Sequence, residues 1–401
     1  MSAQSGKLRR QLVRALEDEG WIRSGPVRDA FLAVPREVFV PEFEEEHGLA
    51  AVYRNEVILT KQTAQGLPLS SSSQPAIMAS MLEQLQLKDG MRVLEVGAGT
   101  GYNAALLSVL VGRRGRVVSV DIDPEIGREA RRALRAGGYK ARVVVGDGRD
   151  GFAELAPYDR IIVTASSDQV PIAWFEQLEP QGLLEAPLQL TGAGVQAIPL
   201  LRKTRSGFRS TEVIAGGFMP LRSAGQEAAV AIEFAVLAAS SGGLLQQQLF
   251  GDALNTLSAR AKRQVLAISL SEGRRRPLGL RAQPSALMFF LSLELPTRAR
   301  ITTAPRFGVG VITRDGGSLA VVELPPARRT RTISSLRLFG ADGAEELLLQ
   351  HVREWDRRGR PAESQLEIAV SYEGRASRLR HRWPSARSTS RAASRGRTRC
   401  A

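Results

Sequence analysis

An apolar run, Val93-Leu94-Glu95-Val96, passes directly into Gly97-Ala98-Gly99-Thr100-Gly101 and then into a helical pattern opening at Tyr102. Glycine permits a tight turn and the close approach of a ligand to backbone, and the helix behind it offers free N–H groups to a polar or anionic group. Such a turn alone serves a dinucleotide as well as any other adenosine-bearing cofactor. The next apolar run ends in Asp121, about 20 residues past the last glycine, where a carboxylate can accept both hydroxyls of a ribose. The run after it ends in Asp147-Gly148, where an aspartate can cap an adenine amino group. Together the three ends define an adenosine site more narrowly than any one does.

Elements that could hold these ends in register are readable around them. Helical patterns over 75–86, 102–112, 124–137 and 171–178 alternate with strand patterns over 91–96, 116–121, 141–145, 159–164 and 183–190. Alternation of this kind predicts an α/β fold, a doubly wound, mostly parallel seven-stranded Rossmann-like sheet. Runs such as Val117-Val118-Ser119-Val120 and Ile161-Ile162-Val163 are nearly continuous, as befits strands covered on both faces. Strands over 195–203 and 210–216, with no helix between them, predict an antiparallel hairpin at the sheet edge. Helices over 7–18 and 26–34 come first, the second stopped by Pro35, and Gly66 to Gln74 reads as an irregular, Ser-rich stretch. A polar linker at 222–228 leads to a second, α+β domain with a helix near 250–264, a hairpin over 308–323 turning on Asp315-Gly316-Gly317 and a helix over 343–358. The expected boundaries are 1–225 for the first domain, 226–372 for the second and 373–401 for an Arg/Ser-rich disordered tail.

The site residues resemble the class I S-adenosylmethionine-dependent methyltransferase pattern, and their surroundings are similar to one family, the protein-L-isoaspartate O-methyltransferases. The resemblance rests on Ala33-Val34-Pro35-Arg36-Glu37-Val38-Phe39-Val40-Pro41, on Ser73-Gln74-Pro75 before an apolar helix, on Val93 to Tyr102, on Gly146-Asp147-Gly148 and on Tyr158 to Ala165. It spans roughly residues 8 to 220 and leaves 226 to 401 outside. It implies S-adenosyl-L-methionine as cofactor, held by Glu95, Gly97, Ala98, Gly99, Thr100, Gly101, Asp121, Ile122, Asp147 and Gly148. It implies Ser73 as the active-site serine, with Ser72, Gln74, Pro75, Thr164 and Ala165 toward the substrate. The implied acceptor is the carboxylate of an L-isoaspartyl residue in a protein or peptide. A carboxylate is ionised at neutral pH, so its methylation needs alignment more than a general base. Consistently, the only histidine of that half is His47. The resemblance breaks at Thr60 to Ser70, which replaces a shorter glycine-containing loop, and at Glu185, where an apolar strand residue is expected.

Composition bounds the alternatives. With 43% hydrophobic and 24% charged residues the 401-residue chain reads as globular. The net charge of +14 would favour a nucleic-acid partner, but after Glu373 the chain is acid-free and carries a run of arginines, so the excess sits largely in the tail. Thr164-Ala165-Ser166-Ser167 stands where base-methylating enzymes need an Asn/Asp-Pro-Pro-aromatic turn, which argues against that substrate. A lone Cys400 allows neither an internal disulfide nor a cysteine metal site. No apolar stretch is long enough to cross a membrane and no metal is expected, so a cytoplasmic enzyme is the reading. The rival within the same chemistry is methylation of an aspartate side chain in a ribosomally made peptide, leading to succinimide or isoaspartate. A binding module that keeps the cofactor fold without catalysis is the remaining class.

Overall fold

The computed structural model describes residues 2–62, 68–191, 196–222, 236–241, 244–278, 284–304, 308–323 and 335–384. Ser2 opens α1 (Ala3–Asp18), its hydroxyl accepting from Ser5 N at 3.1 Å, and Leu12, Val13 and Leu16 form the buried stripe. Ser24 caps α2 (Gly25–Ala33), which ends before Pro35 because the residue preceding a proline is driven out of helical geometry. A 3-10 turn over Arg36–Phe39, then α3 (Pro41–His47) and α4 (Leu49–Val52), lead to β1 (Ile58–Gln62) and β2 (Pro68–Ser72). The stretch expected to be irregular is thus partly strand: Ile58 pairs with Ser72 and Leu59 with Ser71 in a separate two-stranded sheet. Serines carry no strand period of their own, and the partner strand supplies the order.

Next come α5 (Pro75–Leu85), β3 (Arg92–Val96), α6 (Tyr102–Val111), β4 (Arg116–Asp121), α7 (Pro124–Gly137), β5 (Arg142–Val145), β6 (Tyr158–Val163), α8 (Ile172–Gln177), β7 (Leu178–Glu185), β8 (Gln196–Lys203) and β9 (Gly207–Gly216). β3 to β7 are parallel, with Val93 opposite both Val117 and Arg160, and β8 and β9 add the predicted antiparallel hairpin. β7 begins five residues before its predicted start because α8 runs straight into it, and Pro187 lies just past its end.

The second unit begins with β10 (Val236–Ser241) and β11 (Leu244–Phe250), and the linker expected at 222–228 lies outside the described residues beyond Arg222. It continues through α9 (Ala259–Ser269), β12 (Arg274–Pro277), α10 (Pro284–Glu294), β13 (Arg300–Ala304), β14 (Gly308–Ile312), β15 (Ser318–Glu323), β16 (Ser335–Gly340) and α11 (Gly343–Arg357). These strands form an antiparallel sheet in the order β10-β11-β13-β14-β15-β16-β12. The helix expected from 250 starts later, at Ala259 under a Ser258 cap, and Asp252–Thr256 is a 3-10 turn. The hairpin turns as predicted, with Asp315 Oδ1 accepting from Gly317 N at 3.0 Å.

The chain then returns to the first sheet. β17 (Glu367–Glu373) pairs antiparallel with β9, Val370 opposite Phe208, and β18 (Ala376–Arg382) pairs with β17, giving nine strands in the order β18-β17-β9-β8-β7-β6-β3-β4-β5. The seven strands expected of the first domain are present as β3 to β9, and β17 and β18 extend their sheet to nine, which corrects the domain limit at 372 and the tail from 373. Arginine-rich composition hid a period of two, in which exposed Arg378, Arg380 and Arg382 alternate with half-buried Ser377, Leu379 and His381. The remainder of the expected tail, 385–401, lies outside the described residues. One sheet face packs on α1, α2, α5 and α6; the other holds Trp174, Val370 and, from the second unit, Phe289 and Leu293.

Glu185 at the end of β7 is fully buried, and among the described residues neither carboxylate oxygen has a hydrogen-bond partner. Burial, reinforced by Glu212, pushes its pKa well above the ordinary carboxylate value. Glu95 is likewise pushed up, to about 7, chiefly by burial. Raised folded-state values mean that the folded protein retains protons the unfolded chain has released. Both groups therefore permit full stability below the unfolded value near 4.5, and that stability is lost as pH rises toward and through the folded values. Glu185→Gln should raise the melting temperature at pH 8 and flatten its decline between pH 5 and 8; an unchanged pH profile in thermal denaturation would contradict the assignment.

Candidate active site

β3, β4 and β6 end side by side, and their C-terminal ends face one pocket of about 420 Å³. That size suits a small-molecule site, for which roughly 300–1,000 Å³ is usual. Its floor is the predicted turn. Gly97 has φ +100°, and a Cβ there would lie 2.5 Å from Thr164 Oγ1, whose hydroxyl donates to Gly97 O at 2.8 Å. Gly99, at φ +50°, passes so close to the β1–β2 hairpin that a Cβ would stand 3.2 Å from Ser71 O. Gly97→Ala is expected to lower stability by about 1–3 kcal/mol, from backbone strain, and to abolish cofactor binding. Differential scanning fluorimetry with and without S-adenosylhomocysteine checks both effects.

Asp121 closes β4 and is nearly buried. Its Oδ2 accepts from Gly99 N at 3.1 Å and its Oδ1 from Asp123 N at 3.0 Å, so the carboxylate is fixed between the glycine turn and the start of α7. Burial raises its pKa and these backbone N–H groups pull it back down. Asp123 caps α7 through Oδ1, and its Oδ2 meets Lys61 Nζ at 2.9 Å. Lys61 also binds Glu125, which ties the β1–β2 hairpin to the helix behind the site.

Ala98, Gly99, Thr100, Ile122, Gly148, Thr164 and Ala165 line the pocket. So do Ser72, Ser73 and Gln74, while Pro75 is the first residue of α5 directly behind them. Gln74 Nε2 donates to Asn55 O at 3.1 Å, and Asn55 Oδ1 accepts from Ala76 N at 2.9 Å. Gly101 sits at the N-cap of α6, packed against Ala130.

Glu95 lines the pocket with its carboxylate already engaged, whereas Asp147 stands outside the lining. Glu95 lies beneath the turn with its carboxylate engaged by Asn103 Nδ2 at 2.8 Å and by the Ser119 hydroxyl, so it braces β3 against β4 and α6. Asp147 turns Oδ1 onto Arg149, accepting from its N at 2.9 Å, and leaves Gly148 to reach the pocket. Trp174 fixes that glycine by donating from its indole nitrogen to Gly148 O at 2.8 Å.

Sequence reasoning missed the strap over 217–222, which closes the pocket with Phe218, Met219, Leu221 and Arg222. Ser166 N donates to Met219 O at 2.8 Å, Leu221 N donates to Ser166 O at 2.7 Å, and Arg149 donates to the carbonyls of Leu221 and Arg222. No local pattern announces the strap, because its partners, from Gln196 to Ser166 and Arg149, lie 22 or more residues away. Arg36, in a motif already noted, was also given no role.

A glycine turn, a carboxylate at the second strand end and an enclosed pocket above parallel strands fit an adenosine-bearing ligand, and fold and site together define an S-adenosylmethionine-dependent methyltransferase. Residues 7–226 match the family model described as protein-L-isoaspartate(D-aspartate) O-methyltransferase, and the chain belongs to that family. The chain is 38% identical over 217 residues to the protein-L-isoaspartate O-methyltransferase of Ignicoccus hospitalis, covering 53% of this chain and 96% of that one. It is 40% identical to the Hyperthermus butylicus enzyme of the same name, over 53% of this chain and 88% of that one. A solved protein-L-isoaspartate O-methyltransferase aligns over 93% of this chain and 99% of its own at 28% identity and a TM-score of 0.52, so its likeness extends into the second unit. A Plasmodium falciparum chain described as a beta-aspartate methyltransferase, solved with S-adenosyl-L-homocysteine, aligns over 53% of this chain at 18% identity and a TM-score of 0.45. The protein is an enzyme that uses S-adenosylmethionine to methylate the carboxylate of L-isoaspartyl residues in proteins, a repair reaction. Among the described residues no helix is long and apolar enough to cross a membrane.

Proposed function

We propose that Ser73 aligns the isoaspartyl carboxylate, that Asp121 accepts the two ribose hydroxyls, and that the adenine lies against Ile122 and Gly148 with Asp147 beside it. Bound, the cofactor supplies an electrophilic methyl carbon, to which a carboxylate oxygen bonds as the carbon–sulfur bond breaks and its electron pair stays on sulfur. The chain's own residues hold and orient. No proton moves, which fits a pocket wall of hydroxyls and glycines with no histidine among its lining residues. The Thr164 hydroxyl is committed to Gly97 O, so Thr164 shapes the turn and leaves the acceptor to Ser73. Ser72 and Gln74 hold the turn from either side.

The observation that carries this reading is the meeting in one pocket of Ser73, at the N-terminal side of α5, with Asp121 and the glycine turn. The preferred acceptor is isoaspartate in a protein or peptide, and a chain whose one cysteine can form no internal disulfide fits the reducing cytoplasm. Incubation with methyl-labelled cofactor and paired peptides, one with isoaspartate and one with aspartate, tests it. Label should enter the isoaspartyl peptide alone; preference for the aspartyl peptide would replace repair with peptide tailoring.

A further inference from the structure

Arg36 is completely buried, and its guanidinium donates hydrogen bonds to two segments, 52–56 and 72–73, the second of which lines the active-site pocket. From Nη1 it donates to Val52 O at 3.0 Å and Arg54 O at 3.2 Å. From Nη2 it donates to Glu56 O at 3.1 Å, Ser72 O at 3.3 Å and Ser73 O at 3.1 Å, while Nε reaches Ser72 Oγ at 3.4 Å. A buried cation is costly unless its donors are met, and here backbone carbonyls meet them. The Tyr102 ring, 6.0 Å from the guanidinium carbon, adds a face of negative quadrupole. Burial lowers the pKa to about 10, so the group stays charged at neutral pH.

A scaffold could join 52–56 to 72–73 with apolar packing alone. A planar fork instead fixes the direction of each carbonyl it holds. In a trans peptide the N–H points opposite to the C=O, so carbonyls of Ser72 and Ser73 drawn toward Arg36 turn the N–H groups of Ser73 and Gln74 away from it. Both of those residues line the pocket. We propose that Arg36 is a positioning residue for methyl transfer: its guanidinium sets the rotation of the Ser72-Ser73-Gln74 turn so that Ser73 meets the acceptor carboxylate. The proposal rests on the role given to Ser73 above. Among the described residues Arg36 directs its hydrogen bonds to 52–56 and 72–73 and meets the helix behind the glycine turn through the Tyr102 ring, so its effect is expected chiefly in the transfer step.

Arg36→Lys retains the charge and loses the fork. It should lower kcat on an isoaspartyl peptide by about 10- to 100-fold, the scale of a small misplacement of reacting groups, and leave the calorimetric affinity for S-adenosylhomocysteine within about threefold. A merely structural arginine would instead lower both in parallel. The deciding measurement is a double-mutant cycle on kcat: in a Ser73→Ala background, Arg36→Lys should cost less than about threefold, because one pathway of effect has already been removed. Equal losses in both backgrounds, or near-normal kcat in Arg36→Lys, overturn the proposal while leaving Ser73 in place. Normal turnover by Ser73→Ala alone overturns the Ser73 reading itself. Should Arg36→Lys fail to fold, Ser72→Ala, which removes only the hydroxyl held by Nε and Nη2, enters the same cycle; a loss coupled to Ser73 supports the proposal and an additive or absent one refutes it.

Discussion

Ser73→Ala lowers kcat on an isoaspartyl peptide by about 10- to 150-fold, the rate equivalent of one hydrogen bond to a charged group worth roughly 1.5–3 kcal/mol. The affinity for S-adenosylhomocysteine should stay nearly unchanged. An interaction made mainly when the acceptor oxygen is lined up with the methyl carbon is felt in the rate, and the cofactor does not depend on it. The KM for peptide should rise less than kcat falls. Ser72→Ala is a graded comparison, since the Ser72 hydroxyl is buried and occupied by Arg36, so its loss disturbs the turn from behind. Steady-state kinetics on both variants, with calorimetry for the product cofactor, checks the order. A larger defect in Ser72→Ala than in Ser73→Ala would show that the acceptor meets the neighbouring hydroxyl.

Asp121→Ala is expected to weaken cofactor binding by about 100-fold or more, since two charge-assisted hydrogen bonds to the ribose disappear together. The loss also frees Gly99 N and Asp123 N, so the turn and the start of α7 lose their common anchor. Asp121→Asn keeps the shape and one acceptor oxygen and should fall between. Because burial raises the pKa of Asp121, cofactor affinity should decline as the solution is made acidic, before ordinary exposed carboxylates would matter. Titration calorimetry of S-adenosylhomocysteine at several pH values measures both effects. Equal affinity in Asp121→Ala and the parent protein would remove the ribose assignment.

The parts of this molecule that the sequence made legible are those whose cause is local. Val93 to Gly101 carries its strand, its turn and its glycine requirement within nine residues, and the pocket forms there. Asp121 was found for the same reason, as the last residue of an apolar strand. Glu95 shows the limit. A strand pattern gives the face a side chain occupies, and only the neighbouring strand and helix, through Ser119 and Asn103, decide that its carboxylate is a brace. Lys61, Arg36 and the strap over 217–222 are invisible for a related reason, since each acts on residues in other elements, 16 or more positions away. The returning strands were masked by composition, because arginine reads as a solvated tail until its alternation with Ser377, Leu379 and His381 is placed against β17.

The return of β17 to β9 makes the second unit a guest inserted within one sheet, entered after Gly216 and left before Glu367. Synthesis follows sequence, so the ribosome must add about 150 residues after β9 before the strand that covers its edge exists. During that interval the backbone N–H and C=O groups of Gly207 to Arg209 lack their neighbour, and an uncovered edge recruits strands from other chains. A fragment ending at residue 225 would keep the glycine turn and Ser73 yet retain that open edge permanently. Such a truncation should bind cofactor and self-associate, with fusion of a β17–β18 hairpin restoring a monodisperse protein.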